Sequence, residues 1–148
     1  MVAISYKQID NILSHGPLFD QIAELDEKIF GTSQLAEGAV VTKHKLIAFV
    51  AFADEKIIGY KIGHERKPKH FYSWLGGVDP DFRGQGIAKE LMQRQHAWCK
   101  DHGYIAIRTQ TKNKWRSMLL LNIKAGFDII GTYIDDHKDI KIMLEKYL

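Results

Sequence analysis

Cysteine is nearly missing from this chain: Cys99 stands alone among 148 residues. One thiol excludes an intramolecular disulfide framework and any zinc site built from several cysteines. Proline is scarce too, at three residues, and no low-complexity stretch, internal repeat or interdomain linker occurs. No sign of charge dominates, since 21 basic and 18 acidic residues leave +3. The densest basic group, Arg66, Lys67 and Lys69 around Pro68, reads as a solvated loop. With no stacking motif beside it, a nucleic-acid partner is not expected. Apolar runs fall short of the ~20 residues that span a bilayer. The N-terminus has no basic segment leading into an apolar one, so the expectation is a cytoplasmic protein with no membrane partner. Length and an ordinary hydrophobic content of 45% suit one domain, 1–148, with its own core.

Periodicity supplies the elements. Residues 3–9 alternate as a strand. Leu18, Ile22, Leu25 and Ile29 recur at helical spacing after the break at Gly16-Pro17, and Gly31 ends that helix. Residues 32–44 are ambiguous, with room for a short second helix before Gly38. Leu46–Ala53 and Ile57–His64 form a hairpin around Asp54-Glu55-Lys56, and a loop from Arg66 to Lys69 leads to a strand over 71–78. A helix is expected from Gly84 to His102, with Ile87, Leu91, Gln95 and Trp98 on its core face and Cys99 packed beside them. A strand follows over 104–111, with Ile105 and Ile107 inward. Asn113 can cap the next helix, whose broad apolar face holds Trp115, Met118, Leu119, Asn122 and Ile123. Gly126 stops it. Two further strands, from Phe127 to about Tyr133 and over Ile140, Ile142 and Leu144, complete an α/β chain containing one right-handed β-α-β crossover.

The chemistry concentrates between Phe71 and His102. A strand runs through the turn Asp79-Pro80-Asp81-Phe82 into Arg83-Gly84-Gln85-Gly86-Ile87-Ala88, which opens a helix. Helix N-termini carry backbone N–H groups without intrahelical partners and favour negative charge. Gly84 and Gly86 leave the backbone open to close approach, and Arg83 adds forked cationic donors. The implied ligand is a phosphate or pyrophosphate. A P-loop is excluded because no Gly-Lys-Ser or Gly-Lys-Thr occurs. A dinucleotide fingerprint is excluded because Lys89 stands where a third small residue is needed.

Val78-Asp79-Pro80, then Arg83-Gly84-Gln85-Gly86-Ile87-Ala88, then Lys124-Ala125-Gly126-Phe127, in this order, resemble the signature of the GNAT superfamily of N-acetyltransferases over residues 71–131. The resemblance implies a mixed, largely antiparallel sheet flanked by helices, with a central parallel strand pair splayed at acetyl-CoA. It implies acetyl-CoA as co-substrate, no metal, and direct transfer of acetyl to a primary amine on a small molecule or peptide. The turn Arg83–Ala88 would hold the pyrophosphate. Gly77 and Val78 would face the pantetheine arm, with the Val78 N–H as donor to the thioester carbonyl. Asn113 and Asn122 would contact the cofactor from the later helix. Many members carry a tyrosine acid four residues before the Gly of Gly-Phe. Here that position is Asn122, and an amide cannot release a proton at useful pH. A CoA-binding regulatory module without transfer activity is therefore the alternative. Glu65 and Tyr72 are the candidate catalytic groups, with His64 and His70 beside the same loop. Direct transfer needs no covalent intermediate, which leaves Cys99 dispensable. The acetyl acceptor and homodimerisation stay open.

Overall fold

In a computed structural model that describes residues 2–148, the chain builds one seven-stranded sheet in the order β1-β2-β3-β4-β5-β7-β6. The strands are β1 (Ile4–Ile9), β2 (His44–Ala53), β3 (Lys56–Lys67), β4 (His70–Val78), β5 (Ala106–Lys112), β6 (Asp128–Ile134) and β7 (Ile140–Tyr147). Every neighbouring pair is antiparallel except β4–β5. The helices are α1 (Gly16–Phe30), α2 (Glu37–Val41), α3 (Ile87–Asp101) and α4 (Arg116–Lys124). The fold is thus the mixed, largely antiparallel sheet with a central parallel pair that the resemblance implies. None of the described helices is long and apolar enough to cross a membrane.

The sheet is covered on both sides, which explains the near-continuous apolar run of β2. Ala48, Val50, Tyr60 and Ile62 pack toward Ile22 and Leu25 of α1 and Val40 of α2. Phe49, Ala51, Phe71, Ile107 and Leu144 pack toward Ile87, Leu91, Met92 and Cys99 of α3 and Leu119 of α4. Each core gathers ten or more buried side chains. At roughly 1.5–3 kcal/mol for each large apolar side chain buried, the two layers dominate stability.

Several sequence expectations shift. The second helix does not end before Gly38 but runs through it, from Glu37 to Val41. β3 continues to Lys67, so the expected loop shrinks to a turn at Pro68-Lys69, where Lys69 takes φ 66°. Helix α3 begins at Ile87 rather than Gly84, because Gly84 and Gly86 adopt φ 78° and 80°, outside right-handed helix. Ile105 is exposed: it precedes β5, and only Ile107 points into the core. Ile140 is exposed as well, since it pairs with Ile134 at the outer end of the β6–β7 hairpin. Asn113 does not cap α4. That helix starts three residues later, from Trp115, with no side-chain cap.

Candidate active site

The site begins with an interrupted ladder. β4 and β5 are paired only at His70–Ala106, Phe71–Ile107 and Tyr72–Arg108, although β4 continues to Val78 and β5 to Lys112. The cause lies on the other edge of β4. Its register with β3 passes from Ser73–Gly63 to Leu75–Ile62, so Trp74 is an extra residue, a β-bulge. A bulge bends its strand and raises local twist, and this one falls immediately after the last β4–β5 pair. The Thr109 hydroxyl donates to the Ser73 carbonyl at 3.1 Å, the last link before the strands part.

The parting leaves backbone donors free. The Asp79 N–H donates to Ile58 O at 2.7 Å. Alternation along an antiparallel ladder then turns the Gly77 N–H toward Tyr60 and the N–H groups of Gly76 and Val78 away from β3, into the gap. Two such donors two residues apart form an open strand edge, able to accept an amide-bearing chain as an added strand. Gly77 has a packing reason of its own. A Cβ there would lie 2.8 Å from Ile29 Cδ1 and 2.9 Å from the Tyr60 hydroxyl. That hydroxyl donates to buried Asp26, which also accepts from Ser33 Oγ at 2.9 Å. Burial first, and the Asp26 carboxylate second, push the Tyr60 phenol far up, so it stays a fixed neutral donor.

At the open end, β4 is anchored by Asp79, whose side chain is 1% exposed. Its Oδ1 accepts from the Asp81 N–H at 3.0 Å, closing a single 3-10 turn over Pro80–Phe82. Its Oδ2 lies 3.2 Å from Lys28 Nζ of α1 and 4.0 Å from Lys56 Nζ. Burial alone would raise this carboxyl. The Asp81 N–H and the two lysines outweigh that and hold it below the ordinary carboxylate range. The chain then passes through exposed Arg83, Gly84, Gln85 and Gly86 to the start of α3, with Ile87 buried and Ala88 half-buried. The first intrahelical bond runs from Glu90 N–H to Gly86 O. The N–H groups just before it have no intrahelical acceptor and follow Arg83 in the chain, an arrangement suited to an anion.

The two faces of the gap differ. On the α1 side the Tyr72 ring lies 5.6 Å from the His64 ring, and Trp74 lies 6.4 Å from the same histidine. Trp74 Nε1–H donates to Gln34 Oε1 at 3.3 Å. Lys43 Nζ sits over the Trp74 ring at 4.7 Å. Tyr133 Oη donates to Gln110 Oε1 at 2.8 Å on the neighbouring strands. Burial raises the Tyr72 phenol to about 12, with Tyr133 adding to it. Burial also lowers His64 and Lys43 adds to that, while its contact with the Glu65 carbonyl acts the other way. His64 is therefore neutral near physiological pH.

On α4, Asn122 is buried, 2% exposed, on the side of the helix that also buries Leu119. Across the mouth, Trp115 at the head of α4 meets Phe30 at the end of α1, with ring centroids 5.1 Å apart. Asn113 is exposed in the β5–α4 turn, away from that interior position. Glu65 stands elsewhere. It pairs in register with Phe71, at the closed end of β4. It accepts from Tyr104 Oη at 3.1 Å and lies within 3.7 Å of Lys45 Nζ and 3.4 Å of His44 Nε2. With β-strand rise, it is roughly 20 Å from Val78. His70, the fourth candidate, opens β4 at that same closed end. Cys99 is fully buried in the core, and burial pushes its thiol up to about 12, so it is inert packing. Among the described residues no group of His, Cys, Asp and Glu could hold a metal ion.

The comparisons agree with this fold. A family model described as acetyltransferase (GNAT) family matches residues 19–116, more than half of the chain. A search of curated proteins gives no match. Among solved structures, Ard1 from Thermoplasma volcanium superposes with TM-score 0.83 at 13% identity, covering 99% of both chains. The NatC complex bound to Gag peptide and CoA contains a chain that superposes with TM-score 0.81 at 18% identity, over 98% of each. An IAA acetyltransferase from Bacillus cereus ATCC 14579 gives 0.73 at 20% identity, over 99% of this chain and 100% of that one. At such identities these likenesses speak for the fold. The family match and the glycine turn at the splayed pair together establish that the chain belongs to the acetyltransferase (GNAT) family.

Proposed function

We propose that the protein is an N-acetyltransferase that moves the acetyl group of acetyl-CoA directly to a primary amine. The observation that carries this reading is the splayed β4–β5 pair, whose free Gly76 and Val78 N–H groups run toward the N-terminus of α3. A thioester supplies an activated acyl group. The chain's part is to hold it, orient the amine and manage protons. The N–H groups of Gly84–Ala88 and the Arg83 guanidinium suit a pyrophosphate. The Gly76 and Val78 N–H groups suit the amides and thioester carbonyl of a pantetheine arm, and Asn122 can hydrogen-bond the same arm from α4. Gly77 contributes by letting β4 close down on Tyr60.

The acceptor amine enters on the α1–α2 side, between Tyr72, Trp74 and Tyr133. Attack requires a neutral amine. His64 is kept neutral by burial and lies 5.6 and 6.4 Å from the Tyr72 and Trp74 rings on this side. It is the proton acceptor assigned here, reached from the amine through intervening water, because an Nδ1 proton given to the Glu65 carbonyl at 3.1 Å would leave Nε2 with its lone pair. Tyr72 orients the amine. Glu65, held by Tyr104, His44 and Lys45 at the closed end, is assigned no catalytic step.

Acetyl-CoA should raise the melting temperature by about 5 °C at saturating concentration, and Arg83→Glu should remove most of that rise. Free thiol should appear when acetyl-CoA meets a reactive member of a panel of polyamines, amino sugars, amino acids and peptides. Stability unchanged by CoA and acetyl-CoA at millimolar concentration would defeat the reading. Binding without thiol release from any amine would favour a CoA-binding regulatory module instead.

A further inference from the structure

Between α3 and the open half of β4 lies a buried polar group with no part in the proposed binding of acetyl-CoA and amine. Lys61 sits in the middle of β3, 7% exposed, directly opposite Gly76. Gly59, two residues earlier on the same face, looks onto Ile87 and Leu91, so Lys61 points toward α3 and not toward α1. Gly76 has no side chain, and Lys61 Nζ lies over it, 3.6 Å from where a Cβ would stand. Among the described residues no carboxylate is within ion-pair distance of that amine.

Buried polar groups on α3 and β5 also lack partners. Gln95, one turn beyond Leu91, is fully buried with neither amide atom hydrogen-bonded. His96 Nε2 is buried without a partner. Continuing the β4–β5 register past Tyr72–Arg108 brings Thr111 across the gap from Leu75 and Gly76, and its buried Oγ1 has no partner either. Native interiors leave few such groups, and each calls for a water or a ligand. Phe49 of β2 and Gly76 of β4 stand opposite Lys61. His96 of α3, lowered first by burial, is near enough for the lysine charge to lower it further, and Lys146 of β7 lies 3.4 Å from His96 Nδ1. Nothing anionic is among them.

We infer that Lys61 is the acid of the transfer reaction, its ammonium meeting the CoA sulfur in the gap and protonating it as the thioester breaks. This rests on the acetyltransferase reading and fills the place that Asn122 leaves empty. The acceptor nitrogen forms its bond to the acetyl carbon, and the C–S bond breaks with its electron pair going to sulfur. One Lys61 proton then moves to that sulfur. The neutral lysine is reprotonated from solvent, and the proton lost by the acceptor amine leaves through His64. Burial lowers Lys61 to about 8, close to an ordinary thiol, so proton transfer is nearly isoenergetic and the lysine is still largely charged at neutral pH.

Lys61→Met keeps volume and removes the charge, and replacing a buried unpaired ammonium should preserve folding or improve it. Its turnover should fall about a hundred-fold with acetyl-CoA affinity within a few-fold of the parent, and the alkaline limb of the pH profile near 8 should disappear. A second readout needs no turnover. Calorimetry of CoA binding in two buffers of different ionisation heat should show the parent releasing protons near neutral pH, because the ammonium favours the bound thiolate. Lys61→Met should release fewer. Equal turnover and equal proton release in the two proteins would overturn the assignment while leaving the family reading intact. Failure of the parent to bind CoA would overturn both. Acetylation of Lys61 itself, found by mass spectrometry after incubation with acetyl-CoA, would make the amine a nucleophile and overturn its role as acid.

Discussion

The two ends of β4 are built on different principles. At the closed end, His70, Phe71 and Tyr72 pair with β5 on one side and with β3 on the other. Phe71 is wholly buried, with Trp98 tilted against it at 5.8 Å and Tyr104 edge-on at 5.2 Å. At the open end, Gly76, Gly77 and Val78 keep β3 alone, and polar anchors replace aromatic packing. Asp79 ties the strand to α1 through Lys28, and Tyr60 ties the layer beneath Gly77 to Asp26. One end is rigid because it is doubly paired and packed by aromatic rings. The other is held from behind so that its front edge stays free. A site requiring unpaired N–H groups at a defined spacing needs both, since a gap without a closed end would simply be a frayed edge.

The strongest way to break this comparison is at the closed end. Gly63 faces Phe71, and a Cβ there would lie 2.3 Å from Phe71 Cε2 and 2.7 Å from the Tyr72 carbonyl oxygen. The ring is packed on several sides and the carbonyl belongs to the sheet, so neither can yield cheaply. Gly63→Ala should cost about 3 kcal/mol or more, the upper range for overpacking, read as a lower urea midpoint. A cost under about 0.5 kcal/mol would mean that the closed end is not rigid.

How much of this was legible in the sequence follows from where each signal resides. The glycine turn, α1 and α3 announce themselves locally, through positive-φ glycines and helical spacing of apolar residues. The parallel pair came with the resemblance, but its cause did not. The bulge at Trp74 is a mismatch between two strands, and nothing in Ser73-Trp74-Leu75 alone encodes it. Lys61 is illegible for a similar reason. Between Tyr60 and Ile62, a lysine in an alternating strand reads as an outward residue on a half-solvated sheet. Only the helices on both faces make outward mean inward. Glu65 stands apart by its partners: proximity to the loop in sequence says nothing about the Tyr104, His44 and Lys45 contacts that hold it at the end of β3. Asn113 shows that a good capping residue caps only if the helix starts beside it, and here Trp115 takes that place.

A second test sharpens the open end. Because Asp79 is held below its ordinary range in the folded protein, it contributes stability above the unfolded carboxylate value near 4, and this is lost as pH falls through the lower folded value. Asp79→Asn keeps the shape and an acceptor for the Asp81 N–H but loses the attraction of Lys28 and Lys56. It should cost about 1–2 kcal/mol at neutral pH, a difference from the parent that shrinks in chemical denaturation below about pH 4. A difference constant from neutral pH down to about pH 2 would show that the carboxylate charge does not anchor this end.

The smallest expected change in stability is at Gly76, and it separates the two ends most cleanly. Gly76 is not at positive φ, and a Cβ there would meet Lys61 Nζ and the Tyr60 carbonyl oxygen no closer than 3.6 Å, ordinary contact. Alanine also restricts the unfolded chain more than glycine does, which favours the folded state by roughly 0.4–1 kcal/mol where the backbone accepts it. Gly76→Ala should therefore leave the urea midpoint unchanged or slightly raised, in contrast to Gly63→Ala on the adjoining strand. The new methyl would nevertheless enter the gap beside the Gly76 N–H and over the Lys61 amine, where the reading above expects the thioester. Acetyl-CoA affinity and turnover should each fall by about ten-fold, the loss of roughly one hydrogen bond. Unchanged stability with unchanged affinity and turnover would mean that this edge of β4 is not where the co-substrate lies. A large loss of stability would mean that Gly76 is a packing residue like Gly63, and the contrast between the two ends would fail.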